Sequence, residues 1–300
     1  MAGQGQPSAM NLEAHFPLVP PPRPVPFLLR VQVLFGGVFS FIGWIFFTFG
    51  MVFAVVFGSL ADVTSWYHFR GPVATANGTL LEVKETSASE NNVRIYSYKY
   101  SFRAEGTDHE GVSYSTGRRH EPGEQVVVEY VEGNPALSRL RGMRRAEFGP
   151  WVLFVLIFPL VGFIFIVVSL RGGLKANRLL AHGKLAWGQL VSKEPTNTRI
   201  NNRVVYKLTF DFQPEEGGHA QAVARSHMPE KLQDEQRERL LYDPFRPENA
   251  VLLDSLPASP AIDLTGNLRP RNPVLAALTL LLPGIPLASL AVLLYFLYLR

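Results

Sequence analysis

Seven histidines and no cysteine bound the chemistry this chain could perform. Asp108-His109-Glu110 and His120-Glu121 set imidazole beside carboxylate, the pairing used by general bases and hydrolytic metal sites. His219 and His227 lie in comparable turn-rich ground further along. None has the helical HExxH spacing or a zinc framework, so they read as exposed loop histidines among acids. For nucleophilic catalysis there is no Gly-x-Ser-x-Gly elbow and no thiol. The glycines form neither a phosphate-cradling loop nor a dinucleotide fingerprint. Arg118-Arg119 could grip an anion, but adjacent loop arginines are ordinarily solvated. The expected catalytic, metal and cofactor-binding residues are therefore none, and the chain is not expected to be an enzyme.

What must be positioned is instead a set of greasy stretches. Charged residues make up 18% of the chain, against about 25% in soluble domains. The deficit is concentrated in 31–61, 151–170 and 273–299, which are read as three transmembrane helices. Trp151 to Leu170 has no charge over the roughly 20 residues a helix needs to cross hydrocarbon. The first stretch is too long, and begins too far into the chain, for a cleaved signal core. In it Gly36, Ser40, Gly43, Gly50 and Ala54 share a helical face interrupted by Phe47, a seam for a second copy of the chain or for its own spans. Trp66, Tyr67 and Trp151 fall where an interfacial aromatic belt would lie. Pro283-Gly284-Ile285-Pro286 predicts a kink or break in the third span. The basic stretch RGGLKANRLLAHGK predicts a short helix lying at the surface, either an anionic-lipid contact or an ordinary positive flank. With no ionisable residue inside the spans, an ion or proton route is poorly supported.

Between the spans the pattern changes to period two. In 73–142 the strand RIYSYKYSFR puts Arg94, Tyr96, Tyr98, Tyr100 and Phe102 on one face. In 183–257 VYKLTFDF does the same with Tyr206, Leu208, Phe210 and Phe212. Gly188, Tyr206 and Phe212 each follow Gly78, Tyr96 and Phe102 by 110 residues, and Tyr242 follows Tyr130 by 112. A constant offset with one small step is the mark of duplication followed by a loop insertion. The tyrosine ladder could be a recognition surface, but the second copy keeps only its apolarity, which is how a core behaves. The fold class is α+β: three transmembrane helices and two small, related all-β modules, each a barrel or sandwich. Residues 1–30, with LVPPPRPVPF, predict a proline-rich disordered tail.

The paired motif has a family likeness. A Gly-initiated strand (GTLLEV, GQLVSK) leads to an aromatic strand (RIYSYKYSF, RVVYKLTFDF) and an acidic-Gly turn (AEGTDHEG, PEEGGH). A last hydrophobic strand closes each copy (EYVEGNPALSRL, YDPFRPENAVLL). This resembles the bacterial membrane-protein family known only as a domain of unknown function (number 3592). The resemblance implies two tandem copies, small β modules joined to membrane helices, and an inner (plasma) membrane location. It carries over no catalytic residue, and Tyr130, Pro135, Tyr242 and Pro247 read as architectural.

Lys and Arg near the spans number eight on one side, Arg23, Arg30, Arg171, Lys175, Arg178, Lys184, Arg269 and Arg271. Six lie on the other, Arg70, Arg139, Arg141, Arg144, Arg145 and Arg300, which puts the N-terminus and second module in the cytoplasm. A formal charge of +4 gives no reason to expect nucleic acid. The expected partners are the lipid bilayer, other membrane or envelope proteins, and a second copy through Gly36, Ser40, Gly43 and Gly50. The expected role is a non-enzymatic scaffold or interaction protein. The rivals are a membrane-bound hydrolase using His109 or His120 and an accessory subunit of a transporter.

Overall fold

Among the described residues, apolar sequence yields three helical runs long and apolar enough to cross a membrane: Val38–Ser59, Pro150–His182 and Pro273–Val292. In the computed structural model, which describes residues 18–233, 237–257 and 259–298, only 17%, 22% and 17% of their most apolar stretches are buried. Phe39, Phe41, Phe49, Val52, Phe53 and Val56 are each about half exposed. In water each would cost on the order of 1 kcal/mol. Those six alone would cancel much of the ~5–15 kcal/mol that holds a domain together.

The helices start and stop where local chemistry requires. Helix α1 (Phe27–Phe35) ends at Gly36, whose N–H donates to the Gln32 carbonyl at 2.7 Å, and α2 (Val38–Ser59) begins afresh. The first long helix thus starts at residue 38, later than the expected 31, because Leu29, Val31 and Val33 are buried on α1. A short α3 (Ser65–His68) follows α2. After a 3-10 turn at Pro150–Leu156, α4 (Ile157–His182) runs through the basic stretch without a break. The expected surface-lying helix is instead the last third of α4, since Ala176, Leu179 and Leu180 give it a face to bury. The third run divides into α5 (Pro273–Leu278) and α6 (Leu281–Tyr298). The break precedes Pro283 because a proline in a helix's first turn has no hydrogen bond to lose.

Ten strands make two five-stranded antiparallel sheets. The first contains β1 (Val73–Glu90), β2 (Val93–Ala104), β3 (Thr107–Thr116), β4 (Gln125–Val131) and β5 (Asn134–Leu140), ordered β3-β2-β1-β4-β5. The second contains β6 (Lys184–Ile200), β7 (Arg203–Phe212), β8 (Ala220–Ser226), β9 (Glu238–Asp243) and β10 (Arg246–Leu252), ordered β8-β7-β6-β9-β10. The registers coincide as well as the order. Leu80 faces Tyr100 as Leu190 faces Phe210, and Ala74 faces Tyr130 as Lys184 faces Tyr242. Both long hairpins shift register at the same two places, after Leu80 and Glu85 in one and after Leu190 and Pro195 in the other. Both turn on a pair of left-handed asparagines, Asn91-Asn92 (φ 49° and 64°) and Asn201-Asn202 (φ 49° and 61°). That is the two-residue turn whose twist suits a hairpin. In the first sheet the edge strands approach each other, with Leu140 N–H donating 2.8 Å to Ser113 Oγ, so the sheet curls towards a barrel.

The chain divides into two compact units, 1–47 with 161–300 and 48–160. The second unit has one core inside the first sheet, from Leu80, Tyr98, Tyr100 and Phe102 to Val128 and Leu140. A smaller one under it joins Ile95, Phe148 and Val152. The first unit has a core inside the second sheet, around Leu208, Phe210 and Leu240. Its other core joins Leu18, Val25 and Leu29 to Leu179, Leu180 and Leu268 of the hairpin β11 (Ala261–Ile262) and β12 (Leu268–Arg269). Residues 18–30 lie in the stretch expected to be a disordered tail, yet they are strapped onto this core. Their prolines are exposed or half-buried while Leu18, Val25 and Leu29 point inward. Residues 1–17 of that stretch lie outside the described residues.

Candidate functional site

The histidines that opened the chemical question are not assembled into one centre. His109 Nε2 lies 2.8 Å from Thr107 Oγ1 and its ring stacks on Phe102. His120 Nδ1 lies 2.7 Å from Glu124 Oε2 and its ring meets Tyr98 edge-on. Tyr98 and Phe102 are four residues apart on β2, about 13 Å of strand. Among the described residues no group of three or more His, Asp or Glu is placed to hold a metal ion.

A feature the sequence reading missed lies inside the first sheet. Tyr98, Tyr100, Ser113, Ser115 and Ser138 are all buried, and they bond to one another and to the 117–119 loop. Tyr100 donates to Ser138 Oγ at 3.0 Å, while Tyr98 accepts from Arg119 N–H at 2.9 Å and donates to the Gly117 carbonyl at 3.2 Å. Burial pushes the Tyr100 hydroxyl up, partly offset by its bonds with Ser138 and Ser113, so it stays a neutral donor at physiological pH. The matching positions of the second sheet are Leu208, Phe210, Ala224, Ser226 and Ala250. The clue in the sequence was VSYS against VARS, where Ser113 stands against Ala224 while Ser115 is kept as Ser226. These hydroxyls are satisfied, so they hold a loop in place and present no free reactive group.

Glu90, at the end of β1, is a second polar centre of this unit. It accepts from Arg144 Nη1 at 2.8 Å, from Trp151 Nε1 at 3.2 Å and from the Thr116 hydroxyl. Burial alone would raise the Glu90 carboxyl; bonds from Thr116, Arg144 and Trp151 outweigh it and hold the group below the usual carboxylate range.

The end of α4 organises the first unit. Arg23 is buried in the strap; its backbone N–H donates to the Ala181 carbonyl at 2.9 Å and its Nη2 to the Gly183 carbonyl at 2.5 Å. A cation at a helix C-terminus meets the negative end of the macrodipole. Beside it a shallow cleft of about 530 Å³ opens between Pro21, Pro22, Arg178, His182 and the Asp243–Phe245 turn. Arg178 closes on Asp243 at 3.5 Å, and Phe245 at the rim is 92% exposed. Outward along α4 run Arg171, Lys175, Arg178 and His182, all exposed and spaced at helical intervals on one side.

The small-residue seam is occupied within each unit. A Cβ on Gly43 would lie 3.0 Å from the Gly162 carbonyl and Ile166, and one on Gly50 would lie 2.5 Å from Pro159. Gly36 faces the Gln32 carbonyl and Pro257, and Ser40 is buried.

No protein-family model matches the chain, and none of the curated proteins does.

Proposed function

We propose that this chain is an integral membrane protein of the bacterial inner membrane, crossing three times and carrying a duplicated β module. Its role in this reading is that of a scaffold or interaction protein, not an enzyme. The observation that carries the proposal is the exposure of the three apolar helices, of whose most apolar stretches only 17–22% is buried. Hydrocarbon is the solvent in which that exposure costs nothing. Duplication is supported by the shared strand order, registers, register shifts and asparagine turns. Kinship with the bacterial family of unknown function rests on the same motif residues, Tyr130, Pro135, Tyr242 and Pro247.

A contact role is favoured by what the sheets leave outside. Each first register shift bulges an apolar side chain outward, Leu81 and Val191, and across the sheet stand the exposed Val112 and Val223. Both modules thus expose apolar side chains at the same two places, while their interiors are filled.

One span separates the modules along the chain, so a crossing there exposes them to different compartments. The absence of native cysteine makes the test clean. Asp108→Cys lies at the exposed start of β3 and His219→Cys in the exposed loop before β8. On intact cells an impermeant maleimide is expected to label Asp108→Cys, and to reach His219→Cys only after permeabilisation. Labelling of both from one face would overturn the crossing count.

A further inference from the structure

We infer that the first unit carries a docking surface for anionic phospholipid headgroups, formed by Arg30, Arg171, Lys175 and Arg271. This rests on the membrane reading above and names the lipid class that reading leaves open. Leu170 is the last residue of the uncharged stretch, Arg171 follows it, and Lys175 stands one turn, about 6 Å, further out. Two other elements that carry cations pack close by. Asn177 Nδ2 donates 3.0 Å to the Arg30 carbonyl, and Gly173 lets α1 approach so closely that a Cβ there would lie 2.9 Å from Leu34 Cα. Helix α5, which Arg271 precedes by two residues, packs against α1.

Charge bookkeeping within the first unit distinguishes these four cations from several of their neighbours. All four are exposed, and none makes an ion pair among the described residues. The stretches that supply them, 18–61, 148–193 and 264–300, contain no Asp or Glu. Their neighbours are engaged: Arg23 with the end of α4, Arg178 with Asp243, Lys184 with Glu215 and Glu216. In the second unit four of the span-flanking arginines are engaged. Arg139 and Arg141 reach Glu129, Arg144 reaches Glu90, and Arg70 lies over the Trp66 ring at 3.3 Å. The four cations therefore lie beside the apolar stretches in segments that hold no carboxylate. Phe27, 69% exposed, and Leu174, 61% exposed, stand beside it. Unpaired cations with apolar neighbours at a hydrocarbon boundary complement a negatively charged lipid surface. A protein partner of the same charge would not need those apolar neighbours.

The test uses the full chain purified in neutral detergent, with retained lipid counted by native mass spectrometry. Phosphatidylglycerol is expected to be retained over phosphatidylcholine, with the preference weakened at high salt. Replacing the four cations together by Gln should lower the preference roughly fivefold per cation removed. Arg139→Gln with Arg141→Gln, which removes engaged charges, should leave it unchanged. If the fourfold variant fails to fold, Arg171→Gln and Lys175→Gln singly should each give the fivefold step. Equal retention of the two lipids, or undiminished preference in the variants, would overturn the assignment. Displacement of the lipid by millimolar inorganic phosphate would do so too, pointing to a free phosphate site. A chain that stays in solution without detergent would fail the membrane reading itself, a different result.

Discussion

At the residue scale the two modules act as controls for each other. Tyr100 faces Gly111, and its hydroxyl lies where a Cβ on Gly111 would have to go. In the second sheet Phe210 faces Ala222, so the lost hydroxyl and the gained methyl occupy the same space. The third member changes too: Ser138, which accepts from Tyr100, is matched by Ala250. Gly111→Ala alone should overpack the first sheet and cost about 1–3 kcal/mol. Adding Tyr100→Phe and Ser138→Ala makes the site a copy of its twin, and stability should return to within about 1 kcal/mol of the parent. Chemical denaturation of the detergent-solubilised chain measures both. A triple variant no better than Gly111→Ala would mean that the interiors are not interchangeable. The alternation of β2 and β7 made their buried faces legible from sequence. The hydroxyl network was not legible, because its partners lie on β3 and β5 and only the fold brings them to Tyr100.

At the element scale, apolar length and charge deficit located the long helices, whereas their ends depended on contacts far along the chain. The start of α2 depends on Gly36 and on the burial of α1, and neither alters the run of apolar letters. RGGLKANRLLAH looked like a surface segment because it is basic, but the face with Ala176, Leu179 and Leu180 needs the strap and β12 to cover it. The strap itself has no periodicity to read, since proline fixes its backbone and leaves its contacts to the partner. The packing of α2 on α4 turns on glycine. A Cβ on Gly162 would press into the backbone of Phe46, Phe47 and Gly43, whereas Gly172 on the same helix has nothing within 4 Å. Gly162→Ala is therefore expected to force the helices apart and destabilise by about 1–3 kcal/mol. Gly172→Ala should be neutral or stabilise by up to about 1 kcal/mol through helix propensity. Thermal unfolding in detergent compares them. Equal effects would show that the close approach at Gly162 contributes nothing.

At the scale of the whole molecule, the likeness of the two modules was visible as a constant offset in the sequence, yet the compact units do not follow the modules alone. One unit joins the second sheet to the strap, α1, the start of α2 and most of α4, and the other joins the first sheet to the rest of α2 and the first residues of α4. Sequence spacing could not show this, because the boundary cuts through α2 and α4, where the apolar pattern is continuous. Each unit has its own cores, so damage to one should be felt there first. Leu29 is fully buried in the core that ties α1 to α4, and Leu29→Ala removes most of its side chain at a cost of about 2–5 kcal/mol. In a calorimetric scan of the detergent-solubilised chain this should lower one transition by roughly 5–15 °C. Gly111→Ala should lower the other and leave the first in place. The double variant should show both shifts, each at its single-variant size, as expected for sites that share no neighbours. A single transition that moves with either substitution would mean that α2 and α4 couple the units into one cooperative body. The strap would then stabilise the whole chain and not one part of it.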